Sequence, residues 1–269
     1  MDDIYIVHKE VGETPLQAIE RSREERHIPS GIPMAYAGRL DPMAEGKLLV
    51  VTGDECKNIS EYWNLDKEYR VSIVLGITSD SHDVLGKIAL NTNNLQHIDD
   101  EEIEKVLKSF VGKYDWPYPV ISSKPVNGKP LFQWFLEERL SEIEIPRSTG
   151  EIFDITVDAI RTLTPDELKK RTLEKIHSIA IVTDESKRLG RDFRRHDVID
   201  SWNTWYQTSA RSLQVVDITC TASAGTYMRT LADQVGQKLG TGALALEINR
   251  TKIGKFIHWG PIKFWIKQY

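Results

Sequence analysis

Cysteine is nearly absent: there are two among 269 residues, Cys56 and Cys220, and no Cys-x-x-Cys pair. This excludes a disulfide framework and a thiolate metal centre, and it suits a reducing, cytoplasmic compartment. No apolar run approaches the roughly 18 residues of a membrane-spanning helix. The start, Met1-Asp2-Asp3-Ile4, lacks the basic and apolar stretches of a secretory leader. No Gly-x-Gly-x-x-Gly, no phosphate-cradling glycine loop and no metal-ligand spacing occurs, so no cofactor, metal or membrane partner is expected. Positive charge is also short, with 35 Lys and Arg against 40 Asp and Glu, a net charge of −5. Nucleic-acid binding draws on phosphate neutralisation, so an RNA partner requires that the basic residues cluster. What is present, 40% hydrophobic and 28% charged residues, is a globular composition long enough for one large domain or two small ones.

One stretch concentrates the chemistry: Ala35-Tyr36-Ala37-Gly38-Arg39-Leu40-Asp41-Pro42-Met43-Ala44-Glu45-Gly46. Proline fixes its own φ and disfavours the α region for the residue before it. Asp41 is therefore expected on an extended bend outside any helix. Lys47-Leu48-Leu49-Val50-Val51 follows as an apolar run that reads as a buried strand, so the carboxylate stands on a stiff loop that feeds the core.

The remainder alternates strand and helix signals. Ile4-Tyr5-Ile6-Val7 reads as a strand, and Thr14-Pro15 opens a helix to about Arg26. Asp54 to about Asn64 reads as a helix with Ile59, Tyr62 and Trp63 packed inward. Tyr69, Val71, Ile73 and Leu75 share one face of a strand. Residues from about Asp99 to Val111 form an amphipathic helix, Asn127-Gly128 marks a hairpin, and a helix runs to about Leu140. Strands are expected over 152–160 and 213–221, and a helix opening near Ala224 closes at Gly240. His82 is expected to be exposed.

Gly38-Arg39-Leu40-Asp41-Pro42-Met43-Ala44-Glu45-Gly46 resembles the G-x-L-D-P-x-A-x-G signature of the tRNA pseudouridine synthase B (TruB) family. Four further segments resemble that family in order: Lys67-Glu68-Tyr69-Arg70-Val71, Leu75 to Gly86, Tyr118 to Pro130, and Gly225-Thr226-Tyr227-Met228-Arg229-Thr230-Leu231 followed by Gly242-Ala243 through Arg250-Thr251. Together they span about residues 4–163 and 213–258. Departures are Glu10 for the proline after Lys9, Tyr36 for a common histidine, Ala224 for a lysine and Ile248 for a leucine.

The resemblance implies a mixed α/β fold with a central, largely antiparallel sheet flanked by helices and loops, as one catalytic domain over 1–269 without the RNA-binding PUA domain of many relatives. It implies conversion of uridine to pseudouridine, most often at position 55 in the T loop of tRNA, by base flipping and without a cofactor. Asp41 matches the catalytic aspartate, Arg229 the arginine that pairs with it, and Tyr69 the tyrosine against the base. Lys9, Tyr36, Tyr227 and Ile248 fall at substrate-binding positions. An opposite charge at contact distance favours the ionised form of a carboxylate, which can serve as nucleophile or as base. The expected partner is the tRNA T arm, with no DNA, and the expected state is a monomer. The alternatives are a non-catalytic tRNA-folding chaperone on the same scaffold and a synthase with another RNA target. A glycosidic hydrolase would need a second acid or base across the bond, and no motif supplies one.

Residues from about 164 to 212 depart from the family. They carry Lys169-Lys170-Arg171, then Lys187, Arg188, Arg191, Arg194 and Arg195, and then Trp202, Trp205 and Tyr206. Basic residues beside aromatics suit phosphate contact and base stacking. A solvated insertion with its own small apolar patch is the other reading.

Overall fold

Apolar residues at every second position make a strand with one buried face, and Tyr69, Val71, Ile73 and Leu75 are all buried. In the computed structural model, which describes residues 3–89, 97–181, 194–208, 211–259 and 262–269, they sit near the middle of a nine-stranded sheet. The strands are β1 (Ile4–Lys9), β2 (Met34–Ala37), β3 (Glu45–Thr52), β4 (Asp66–Leu75), β5 (Thr78–Ser79), β6 (Ile88–Ala89), β7 (Gly112–Pro117), β8 (Pro125–Val126), β9 (Lys129–Pro130), β10 (Arg147–Leu163), β11 (Leu213–Ala222), β12 (Ala243–Trp259) and β13 (Ile262–Ile266). The α-helices are α1 (Pro15–Glu25), α2 (Ser60–Trp63), α3 (Asp100–Lys108), α4 (Leu131–Leu136), α5 (Pro165–Ser178), α6 (Arg195–Thr208) and α7 (Met228–Leu239).

The strand order is β1-β3-β12-β4-β11-β10-β7, with β2 on β3 and β13 on β12, while β5–β6 and β8–β9 form separate ribbons. The sheet is antiparallel throughout except where β12 meets β3, with Asn249 beside Glu45 and Arg250 beside Gly46. The expected mixed α/β architecture is thus the observed one. On its other side β12 sets Ile248 opposite Val71 and Arg250 opposite Tyr69 of β4.

The main core joins β4, β11 and β12 to α3, α5, α6 and α7 in one apolar cluster. The run Leu48 to Val51 serves two smaller clusters by alternation: Leu48 and Val50 pack with α1, and Leu49 and Val51 pack toward Tyr62 and Ile253. Local signals set the helix ends. Thr14 caps α1 in a reciprocal capping box with Gln17, Asp99 caps α3, and Gly240 closes α7 in the left-handed region at φ 72°.

Several expectations change. The span from Asp54 to Asn64 is a 3-10 turn (Gly53–Asn58) followed by the single-turn α2, and Trp63 is 56% exposed where packing was expected. α4 stops at Leu136, short of Leu140, with Glu138 at φ 58°. β10 is longer than the expected 152–160 because it pairs with both β7 and β11. The described part of the insertion is α5 and α6, and it is neither an RNA-facing aromatic patch nor a separate apolar one. Trp202 is 0% and Trp205 2% exposed, and both belong to the main core. Lys187, Arg188 and Arg191 lie outside the described residues. No described helix is long and apolar enough to cross a membrane.

Gly46 carries the register between β3 and β12. Its φ is +112°, and a Cβ there would lie 2.4 Å from the carbonyl oxygen of Arg250 and 2.6 Å from its nitrogen. Both atoms are strand backbone and cannot turn aside. Gly46→Ala is therefore expected to cost more than about 2 kcal/mol of stability, measured by urea unfolding. An unchanged midpoint would mean that the contact of β3 with β12 opens at no cost.

Candidate active site

Asp41 leaves β2 on the loop to β3, outside any helix, as its proline neighbour requires. The loop is gripped from beneath by two buried cations. Lys9, at the end of β1, donates to the carbonyls of Ala44 at 2.6 Å and Glu10 at 3.0 Å. Arg250, on β12, donates to Lys47 at 2.6 Å, Gly38 at 3.2 Å and Arg39 at 3.3 Å. Lys9 is 0% and Arg250 1% exposed. Buried backbone oxygens need partners, and these side chains supply them on both flanks of Asp41.

The carboxylate meets Arg229, the second residue of α7. Arg229 donates from Nε to Oδ2 of Asp41 at 2.7 Å and from Nη2 to Oδ1 at 3.2 Å. This is the fork-on-fork geometry that fixes orientation as well as charge. The Arg229 side chain is 4% exposed and that of Asp41 36%. Its remaining donors reach the carbonyls of Ser81 at 2.8 Å and Ile121 at 3.3 Å. A second carboxylate, Asp83, lies 3.4 Å from Nε and is itself buried. Burial opposes the charge on Arg229, but Asp41 and Asp83 outweigh it and hold the guanidinium above its ordinary range. Burial pushes the Asp83 carboxyl up to about 6, against the pull of Arg229. Asp83 is fixed by Ser81 Oγ at 2.6 Å and the Leu85 amide at 2.9 Å, both donating to Oδ1.

Above the pair opens a cavity of about 280 Å3, at the small end of ligand sites. Asp41, Tyr69, Tyr227 and Ile248 line it, and Trp63 stands at its edge. Tyr69 is buried on β4 beside Arg250, and burial raises its phenol above the ordinary range. Burial likewise pushes Tyr227 up to about 12. Lys67 also lines the cavity. Its ammonium donates to the carbonyls of Leu65 and of Trp63, the latter at 3.3 Å, and burial lowers its pKa to about 8.

Of the residues singled out in the sequence, Asp41, Tyr69, Arg229, Tyr227 and Ile248 converge. Lys9 lies under the loop, and Tyr36 packs partly buried against the small core that includes Tyr5, Ile28, Leu48 and Val50; neither lines the cavity. His82 is half-buried, not exposed: its φ is 62°, its Nδ1 lies 3.6 Å from Asp233, and burial lowers its pKa. Asp83, Lys67, Arg250 and Trp63 had no assigned part. Arg250 shares strand parity with Ile248 on β12, a strand not read from the sequence. Asp83 was present as the second acid in the stretch from Leu75 to Gly86.

Residues 30–172 match the model of the TruB family pseudouridylate synthase (N terminal domain). The tRNA pseudouridine synthase B of Parabacteroides distasonis is 32% identical over 224 residues, 83% of this chain and 72% of that protein. That of Geobacter sulfurreducens is 26% identical over 257 residues, 95% of this chain and 66% of that protein. The chain thus spans about two thirds of the length of these relatives. The crystal structure of a Cbf5-Nop10-Gar1 complex covers 93% of this chain and 48% of its matched chain, at a TM-score of 0.54 and 17% identity. An H/ACA RNP bound to a substrate RNA containing 2′-deoxyuridine covers 96% and 48%, at 0.50 and 16%. These two likenesses concern the fold. With the family model matching more than half of this chain and the family's motifs gathered around one cavity, this chain belongs to the TruB family of pseudouridylate synthases.

Proposed function

We propose that this chain is an RNA pseudouridine synthase acting on a flipped uridine, with the T-loop uridine at position 55 of tRNA as its target. The observation that carries the reading is the Asp41 carboxylate, held in a bidentate grip by a buried arginine at the base of a cavity walled by Tyr69, Tyr227 and Ile248. Isomerisation breaks the N1–C1′ bond and forms C5–C1′; C5 loses a proton and N1 gains one. The atoms balance without an oxidant, a reductant or a second substrate. What the site must supply is a positioned carboxylate, an aromatic face, apolar walls and exclusion of water.

Asp41 acts at the sugar, as nucleophile at C1′ or as base toward a sugar proton. Tyr69 packs on the uracil and, as a neutral phenol, stands ready to shuttle the C5 proton. Tyr227 and Ile248 hold the base in plane. A uracil in folded RNA must leave its stack to reach this depth, and the exposed Trp63 offers a surface on which a neighbouring base stacks once the target is out. Lys67 and Arg250, which form no carboxylate ion pair among the described residues, make the cavity locally positive in an acidic chain. The T-loop assignment rests on the relatives named tRNA pseudouridine synthase B.

Three outcomes test the proposal. Asp41→Asn is expected to abolish pseudouridine formation in unmodified tRNA, mapped by carbodiimide labelling and primer extension, while RNA affinity stays within a few-fold. Signals outside the T loop would keep the chemistry and replace the target; bound but unmodified tRNA with wild-type protein would favour the chaperone. Trp63→Ala is expected to weaken binding roughly tenfold, from about 1–3 kcal/mol per stacked base, with Trp63→Phe recovering most of it; equal affinities would remove the stacking role. The third outcome concerns pH. Protonation of Asp83 takes one of two carboxylates from Arg229, so the rate should fall as pH drops through about 6. The folded carboxyl titrates above the roughly 3.9 of an exposed aspartate. The fold therefore takes up a proton between about pH 4 and 6, and acidification there favours the folded state while the rate falls. Asp83→Asn should give a slower, flat profile; an unchanged acid limb would assign the titration to another group.

A further inference from the structure

The insertion touches the site from behind. The loop between β5 and β6 carries Asp80 to Lys87, and its inner side faces Arg229 through the Ser81 carbonyl and the Asp83 carboxylate. Its outer side is held by α6 and the residue preceding that helix. Arg194 grips Asp80 with two bonds, Nη1 to Oδ2 at 2.5 Å and Nη2 to Oδ1 at 3.1 Å. Trp202, with no exposed surface, donates its indole N–H to the Val84 carbonyl at 3.0 Å. Ser201 Oγ accepts the Ile88 amide at 3.1 Å. Asp80 in turn accepts the Lys87 amide at 3.0 Å, which closes the loop on itself. α6 is itself anchored: Val198, Trp202 and Trp205 lie in the main core.

We propose that α6 and Arg194 form a brace that positions the catalytic arginine. The brace fixes residues 80–88 in the one shape that delivers both the Ser81 carbonyl and the Asp83 carboxylate to Arg229, and Arg229 in turn sets the direction of Asp41. Arg194, Ser201 and Trp202 touch no substrate; they act through the loop. Of the basic and aromatic residues of the described insertion, Arg194, Trp202 and Trp205 are thereby given to internal support. Arg194 is 13% exposed and its donors are engaged by Asp80, a poor disposition for a phosphate contact. A misplacement of about 1 Å at a reacting group is enough to cost on the order of 10²-fold in rate, so small loosening at the brace reaches the chemistry.

The inference rests on the synthase reading for its kinetic arm, and a second arm is independent of it. Arg194→Gln, Asp80→Asn and the double variant form a cycle. Each single change is expected to lower kcat about tenfold with KM for tRNA and RNA affinity within about twofold, and the double change to lower it no further than either single one. Trp202→Phe and Ser201→Ala, each of which removes a single bond of the brace, should lower kcat less. In the same proteins, amide hydrogen exchange over residues 80–88 should quicken while the protection of β11 and β12 is kept. A fall in RNA affinity with a flatter salt dependence would make Arg194 an RNA contact and overturn the brace. So would unchanged kcat with unchanged exchange, or additive losses in the cycle. If the wild-type chain converts no uridine in any RNA, the synthase reading fails alone, and exchange at residues 80–88 still decides the brace.

Discussion

A buried guanidinium is the constraint on which the rest of the site depends. Arg229 is nearly inaccessible to solvent, and a charge taken out of water must be matched in its surroundings. Asp41, Asp83, the Ser81 carbonyl and the Ile121 carbonyl provide the match. These partners come from three separate loops, so one side chain ties the 38–46, 79–88 and 118–124 segments to the start of α7. Asp41 is then a carboxylate whose position is set by what the arginine needs, and the cavity above it inherits that position.

Placement of the main site residues was legible because each lies in a short motif attached to a strong element. Strand alternation puts Tyr69 inward, the family motif singles out Ile248, and the proline after Asp41 keeps it out of a helix. Lys9 was expected at a substrate-binding position and lies buried beneath the Asp41 loop. Nothing in Ile4-Tyr5-Ile6-Val7-His8-Lys9 says that an ammonium six residues into the strand must answer a carbonyl from residue 44. Tyr36 was misplaced for a related reason: four residues of β2 do not reveal which of two small cores each side faces. The aromatics of α6 carried a genuine signal, but helical spacing reports an apolar stripe and not what covers it. Trp63 erred the other way, since a single-turn helix cannot enforce a buried face.

The acidity of the chain looks different once the cations are located. Lys9, Lys67 and Arg250 are all buried and spend their donors largely on backbone carbonyls around the Asp41 loop and the cavity. The excess of acidic residues therefore sits elsewhere, and positive potential is focused where field lines converge in a low-dielectric pocket. Buried cations gathered at a recess of a net acidic chain disfavour indiscriminate contact along an RNA helix and favour a nucleotide that enters.

The strand order has a consequence for how the molecule comes into being. β12 fills the slot between β3 and β4, so these two strands are not joined into one sheet until a segment beginning at Ala243 arrives, although β4 is complete at Leu75. Chain growth at 5–20 residues per second puts on the order of ten seconds or more between those events on the ribosome. Until then Tyr69 lacks Arg250 beside it, the Asp41 loop lacks its clamp at Gly38 and Arg39, and Arg229 has only just been made. The pocket is assembled by closure of a long-range contact, the slow kind, so a nascent chain carries no functioning centre for most of its synthesis. It does carry unpaired edges on β3 and β4 that a chaperone would be expected to shield.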